Sequence, residues 1–104
     1  MDIADIDLMY ELRNFLDEEG KLKKYPTKYK LKIFSLFYIA SKLERGVRYT
    51  EKQLNKSLCE WHTFEDWAVL RRDLYDKRFM DREPNGAYYW MEDTIPTLSS
   101  LGLE

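Results

Sequence analysis

Apolar positions recur at helical spacing near the start of the chain: Ile3, Ile6, Met9 or Tyr10, Leu12, Phe15 and Leu16, with Asp5, Asp7 and Glu11 between them. This predicts a helix over 3–18, stopped by Gly20, that covers the domain's open side or pairs with its copy in a dimer. Residues 20–26 read as a connector with Leu22 and Tyr25 turned inward, and Pro26 sits near the first turn of the next helix. From Thr27 to Leu43 the positions Leu31, Phe34, Leu36, Phe37, Ile39, Ala40 and Leu43 are apolar over more than half a helical circumference. That breadth predicts a buried central helix, closed by Gly46 as C-cap. Val47-Arg48-Tyr49 follows as a short strand. Thr50 with Gln53 has capping-box spacing and starts a helix carrying Leu54, Leu58 and Trp61. After a break at His62-Thr63, Thr63 caps a helix over 64–77 with Trp67, Leu70 and Leu74 on its inward stripe. Two short strands, 79–83 and 87–91, flank Pro84-Asn85-Gly86, a strong hairpin signal.

Helix, tight turn, helix, hairpin is the order of a winged helix-turn-helix. The expected fold is therefore α+β and mainly helical, a winged helix-turn-helix with an extra N-terminal helix. At 104 residues the chain has the length of one domain with one modest core. The expected organisation is a single domain over 1–104: helix 1–19, connector 20–26, winged-helix core 27–91 and a loosely packed tail 92–104.

Composition narrows the function classes. With 35% charged residues and few Gly and Pro, the chain reads as an ordered soluble globule. No apolar run reaches the roughly 18–20 residues needed to cross a bilayer. The acidic start, Met-Asp-Ile-Ala-Asp, lacks the basic region of a signal peptide, and a single Cys leaves no disulfide to form within the chain. Both point to the cytoplasm. A net charge of −2 runs against a dedicated nucleic-acid binder, but the charge is uneven. Residues 1–19 hold seven acids and one Arg, whereas residues 20–32 hold six Lys and no acid.

Several short motifs then line up in order. Tyr49-Thr50-Glu51-Lys52-Gln53-Leu54-Asn55, His62, Asp66 through Leu74 with Leu70-Arg71-Arg72-Asp73-Leu74, Asp81-Arg82, Gly86 and Tyr88-Tyr89-Trp90 together resemble the bacterial "domain of unknown function 2087" family. Upstream, Phe15-Leu16-Asp17, Gly20-Lys21-Leu22 and Pro26 with Lys28 resemble the family's opening, so the likeness runs over about residues 15–91. The spacing from His62 to Asp66 departs from the family's closer acid. The resemblance implies a winged-helix-like domain with a transcription-related role, since such domains often follow a helix-turn-helix regulator domain or stand alone.

For a DNA reader, helix 64–77 is the element offered to the major groove, with the 79–91 wing beside it. Arg71 or Arg72 would fork onto a guanine edge or a phosphate. Lys52, Lys56, Lys77 and Arg82 would meet the backbone, and Lys28 and Lys30 (with Lys32) cluster at the start of the central helix, against its dipole. Glu65 and Asp66 would repel phosphate, and Arg71 and Arg72 have a competing use in ion pairs with Asp76, Asp81 or Glu83. A homodimer would add two weak DNA contacts together. The alternative is a non-enzymatic protein-protein or inhibitor module, docking through Tyr88, Tyr89 and Trp90 or through the acidic N-terminal helix. On a strand, Tyr89 faces opposite to its two neighbours. Cys59 and His62 lack the third group and oxyanion site of a nucleophilic pair, and one Cys with one His does not make a zinc site. No catalytic residue, metal site or cofactor is expected.

Overall fold

A computed structural model describes residues 2–103; Met1 and Glu104, the ends of the expected 1–104 domain, lie outside the described residues. The fold is α+β, built on four helices and one antiparallel sheet. In chain order these are a 3-10 turn (Ile3–Asp5), α1 (Leu8–Glu11), α2 (Tyr29–Ala40), β1 (Tyr49–Thr50), α3 (Glu51–Cys59), α4 (Trp67–Asp76), β2 (Met80–Arg82) and β3 (Tyr88–Met91).

The helix expected over 3–18 is instead two short turns. Asp2 accepts from the Ala4 N–H and Asp7 from the Tyr10 N–H, so each acid starts a new turn where the helical pattern needed continuity. Leu16 then pairs with Leu22 across a tight turn, in which the Asp17 carboxylate accepts from the Glu19 and Lys21 amides. Gly20 takes the left-handed conformation there, and a Cβ at that position would lie 3.2 Å from the Tyr38 hydroxyl. Ile3, Ile6 and Leu8 still pack against the core and Leu12 is fully buried, whereas Met9 and Tyr10 are exposed. The segment covers one side of the domain as a 3-10 turn and the single turn of α1, without being one continuous helix.

The central helix is where the pattern placed it. Every residue from Ile33 to Ala40 in α2 is buried, and the hydroxyl of Ser35 bonds back to the Leu31 carbonyl. It is shorter than expected at both ends. Lys28 is its N-cap, leaving Pro26 outside the first turn, and Ser41 is its C-cap, with the Ser41 hydroxyl donating to the Tyr38 carbonyl. Gly46 therefore does not cap α2 but sits in a later turn, beyond the point where the Glu44 amide is held by the Tyr49 hydroxyl.

Helix α3 begins with the capping box that Thr50 and Gln53 predict, both reciprocal bonds being present. Replacing Thr50 by Ala is expected to lower stability by about 1 kcal/mol, read from the shift of the urea unfolding midpoint. Leu54 and Leu58 are its buried stripe. Helix α4, by contrast, starts at Trp67, three residues later than expected. His62 accepts the Asp66 N–H at Nε2, Glu65 adopts a positive φ of 56° that no α-helix admits, and Asp66, not Thr63, caps the helix through the Val69 amide.

The hairpin is present, with Gly86 at positive φ and the Asn85 side chain accepting from Ala87 N–H. β3 is central in the order β1-β3-β2, with Tyr49 opposite Tyr89 on one side and Arg82 opposite Tyr89 on the other. The strand before α3 is Tyr49–Thr50, shifted from the expected Val47–Tyr49. Phe79 joins α4 to the hairpin and meets Phe37 of α2 edge-on, at 4.8 Å between ring centroids and 86° between planes. The tail, expected to pack loosely, is fastened: Leu98 is buried, Thr97 and Ser100 exchange hydrogen bonds, and the Tyr29 hydroxyl donates to the Leu101 carbonyl.

Candidate functional site

Leu70 and Leu74 hold α4 against the core, which decides what its other face can do. Ala68, Arg71, Arg72, Tyr75 and Asp76 stand three and four residues apart along that face. Together with Asp66, Val69, and Arg82 and Tyr89 of the hairpin they line an open cleft of about 530 Å³. Three guanidinium groups, on Arg71, Arg72 and Arg82, thus share one concavity between a helix and a β-ribbon. Two carboxylates, on Asp66 and Asp76, share it with them.

The three arginines are not equivalent. Arg71 has only 20% of its side chain exposed; it donates to Asn55 Oδ1 at 2.5 Å and lies 3.0 Å from Glu51 Oε1, clamping α4 to α3. Its partners are therefore on α3, not the Asp76, Asp81 or Glu83 that the competing ion-pair reading named. Arg72 is 69% exposed and its nearest acid, Asp73, is 3.9 Å away, which leaves its donors to solvent. Arg82 is exposed and stacks over the Tyr75 ring at 4.7 Å, where Tyr75 and then Tyr89 favour its charged form. The sequence offered no sign that Tyr75 carries Arg82, because one lies on a helix and the other on a strand.

The remaining candidates lie around this cleft or away from it. Lys52 and Lys56 are exposed on α3. Lys77 ends α4 and sits over the Tyr29 ring, at 5.3 Å from its centroid. Lys28 and Lys30 are exposed at the start of α2, with Lys30 5.7 Å from the Phe34 ring centroid, while Lys32 lies over Tyr25 at 5.1 Å. Lys28, Lys30 and Lys32 thus belong to the start of α2, Lys52 and Lys56 to α3 and Lys77 to the end of α4, and among the described residues the cations lining the cleft are arginines alone.

Trp67 does not turn inward as the stripe predicted; it is 39% exposed. Because α4 starts at residue 67, the apolar anchor before it is Phe64, half-buried and stacked on Tyr25 at 5.9 Å and against His62 at 4.6 Å. On β3, Tyr89 is buried, so of the expected aromatic patch only Tyr88 and Trp90 face outward. Arg48, a residue the sequence did not single out, lies over both rings, at 5.0 and 4.8 Å, and pairs with Glu83. The register that sets Tyr49 against Tyr89 puts Arg48 beside that outer face.

His62 is buried with both ring nitrogens engaged, Nδ1 with the Leu58 carbonyl at 2.6 Å and Nε2 with the Asp66 amide at 3.2 Å. With Nδ1 facing that carbonyl and Nε2 accepting from that amide, the ring joins the end of α3 to the start of α4. Leu22 completes the joint, donating to the Trp61 carbonyl and accepting from the Thr63 amide, each at 2.9 Å. Cys59 is exposed near this joint. No helix among the described residues is long and apolar enough to cross a membrane.

Among known families, the model of the DUF2087 family, described as an uncharacterized protein conserved in bacteria, matches residues 21–91. That stretch holds α2 to β3 and the whole cleft, and leaves out the N-terminal turns and the tail. No curated protein and no solved structure matches the chain.

Proposed function

The chain belongs to the DUF2087 family, and from that premise we propose that it is a winged-helix DNA-binding domain acting in transcription regulation. The observation that carries the reading is the shared cleft of Arg71, Arg72 and Arg82 between α4 and the hairpin. In this role α4 is the helix set into the major groove and the β2–β3 hairpin is the wing. Arg72, with its donors open to solvent, reaches a guanine edge or a phosphate, and Arg82 contacts the backbone from the wing. Arg71 positions α4 on α3, and Lys52 and Lys56 supply further phosphate contacts. Asp66 and Asp76 repel misplaced phosphates, so the domain approaches DNA in few orientations and with modest affinity. Two copies, bound as a homodimer, would then supply the affinity one copy lacks.

The test is fluorescence anisotropy with a mixed-sequence duplex, titrated across a range of salt. Binding is expected at low ionic strength and falls steeply as salt rises. The slope of log affinity against log salt is expected to shrink by about 1 in Arg72→Ala/Arg82→Ala if Arg72 reads a guanine edge and by about 2 if it meets a phosphate, one unit for each lost phosphate contact. No binding at the lowest salt, or an unchanged slope in the double variant, would overturn it.

A second reading rests on a different surface. Tyr88, 40% exposed, and Trp90 share one face of the sheet with Arg48 stacked over both, an arrangement suited to a protein partner. An Arg48→Ala/Trp90→Ala variant that keeps DNA binding but loses a partner would assign that face to protein.

A further inference from the structure

The N-terminal turns and the tail close over the C-terminal end of α2. They leave a cavity of about 410 Å³ walled by Ile3, Leu8, Phe37, Leu43, Met91 and Ile95. It shares no lining residue with the arginine cleft. A space of this size, apolar on its walls with few polar groups at its edge, has the make-up of a small-molecule site.

Among the described residues, the only charged side chain lining it is Arg45. One Arg45 nitrogen, Nη1, donates to the Asp93 carbonyl at 3.1 Å, and no carboxylate among the described residues pairs with the guanidinium. The fork therefore keeps donors for a planar anion. Ser41, the other polar lining residue, already gives its hydroxyl hydrogen to the Tyr38 carbonyl, so it adds an acceptor at most. Two acids of the nearby N-terminal segment, Asp2 and Asp7, are engaged by backbone amides, which lessens their opposition to an incoming anion.

We infer that this cavity binds an apolar monocarboxylate, with a medium-chain acyl or aryl body between the N-terminal turns and α2 and its carboxylate on Arg45. The inference stands apart from the DNA reading, since neither site's residues serve the other.

Sodium decanoate and decylamine, both below their micellar concentrations, test it on the full chain. Binding is followed by calorimetric titration and by amide shifts in the two-dimensional NMR spectrum. Decanoate is expected to bind saturably and to shift amides of residues 3–8, 43–45 and 91–95. Decylamine carries the same chain with the opposite charge and is expected to bind at least tenfold more weakly. Arg45 is exposed and makes one backbone hydrogen bond, so Arg45→Ala should keep the fold, checked by its unliganded melting curve. That variant is expected to bind decanoate about tenfold more weakly, with Arg45→Lys recovering part of the loss. No saturable binding, equal binding of decylamine, or undiminished binding by Arg45→Ala would each overturn the assignment.

Discussion

Phe79→Ala is expected to destabilise the protein by about 3–5 kcal/mol, a large part of the roughly 5–15 kcal/mol available to a domain of this size. Phe79 is fully buried, and its ring is set edge-on into Phe37 of the central helix. Its backbone does equal service. The amide donates to the Leu74 carbonyl at the end of α4, and its carbonyl accepts from Glu92 just beyond β3. Truncation leaves a hole where helix, hairpin and core meet, and rigid elements on three sides limit how far it can collapse. Urea unfolding measures the loss. A cost under about 1 kcal/mol would mean that Phe37 and Phe79 do not pack as described.

Tyr25→Phe is expected to cost about 1–3 kcal/mol at neutral pH and to change how stability responds to alkali. The Tyr25 hydroxyl donates to Asp73 Oδ2 at 2.7 Å, fastening the connector before α2 to α4. Burial pushes this phenol well above its ordinary value, and the hydrogen bond to Asp73 and that carboxylate's charge push it further, with Arg72 opposing weakly. The sign follows from proton counting. Above the ordinary tyrosine value of 10.0 the unfolded chain releases the proton that the folded protein retains, so unfolding gains as pH rises. The contribution is whole below that value and is lost progressively above it. Wild-type stability should therefore fall from about pH 10 upward. Tyr38, raised by burial and by Asp17, acts in the same direction, so the phenylalanine variant should show a shallower decline, not a flat one. Urea midpoints between pH 8 and 11 decide it, and parallel declines would dismiss the raised Tyr25 phenol as a source of the alkaline loss.

Features encoded over a few residues were legible in the sequence. Thr50 and Gln53 gave the start of α3 because a capping box needs only a three-residue spacing. Asn85-Gly86 gave the hairpin because the turn's backbone conformation is local, and the breadth of apolar positions gave the burial of α2. What escaped depends on partners distant in the chain. The start of α4 is set by His62 bonding both to α3 and to Asp66, and by Leu22 bridging in from forty residues upstream. Trp67 has the spacing of the inward stripe, but as the first residue of α4 it stands at the end of the element and is exposed. The N-terminal pattern counted apolar positions and gave no weight to Asp2 and Asp7 as turn starters.

The site divides in the same way. That Arg71 and Arg72 share a helix with an outward face was readable. That α3 would take Arg71 through Glu51 and Asn55 was not, because those two residues fit an exposed helix equally well with no partner at all. Arg82 was singled out by its place on the hairpin, but its support by Tyr75 exists only once strand and helix are side by side.

The sheet stops at β2, which is bonded to β3 and to no other strand among the described residues. A free sheet border invites a strand from another molecule. This border is three residues long, carries Asp81 and Arg82, and ends two residues before Pro84, which has no amide hydrogen to offer. A visiting chain would meet charges of both signs and then run out of ladder. The short ribbon that holds Arg82 beside α4 is thus also a guard against strand-to-strand polymerisation.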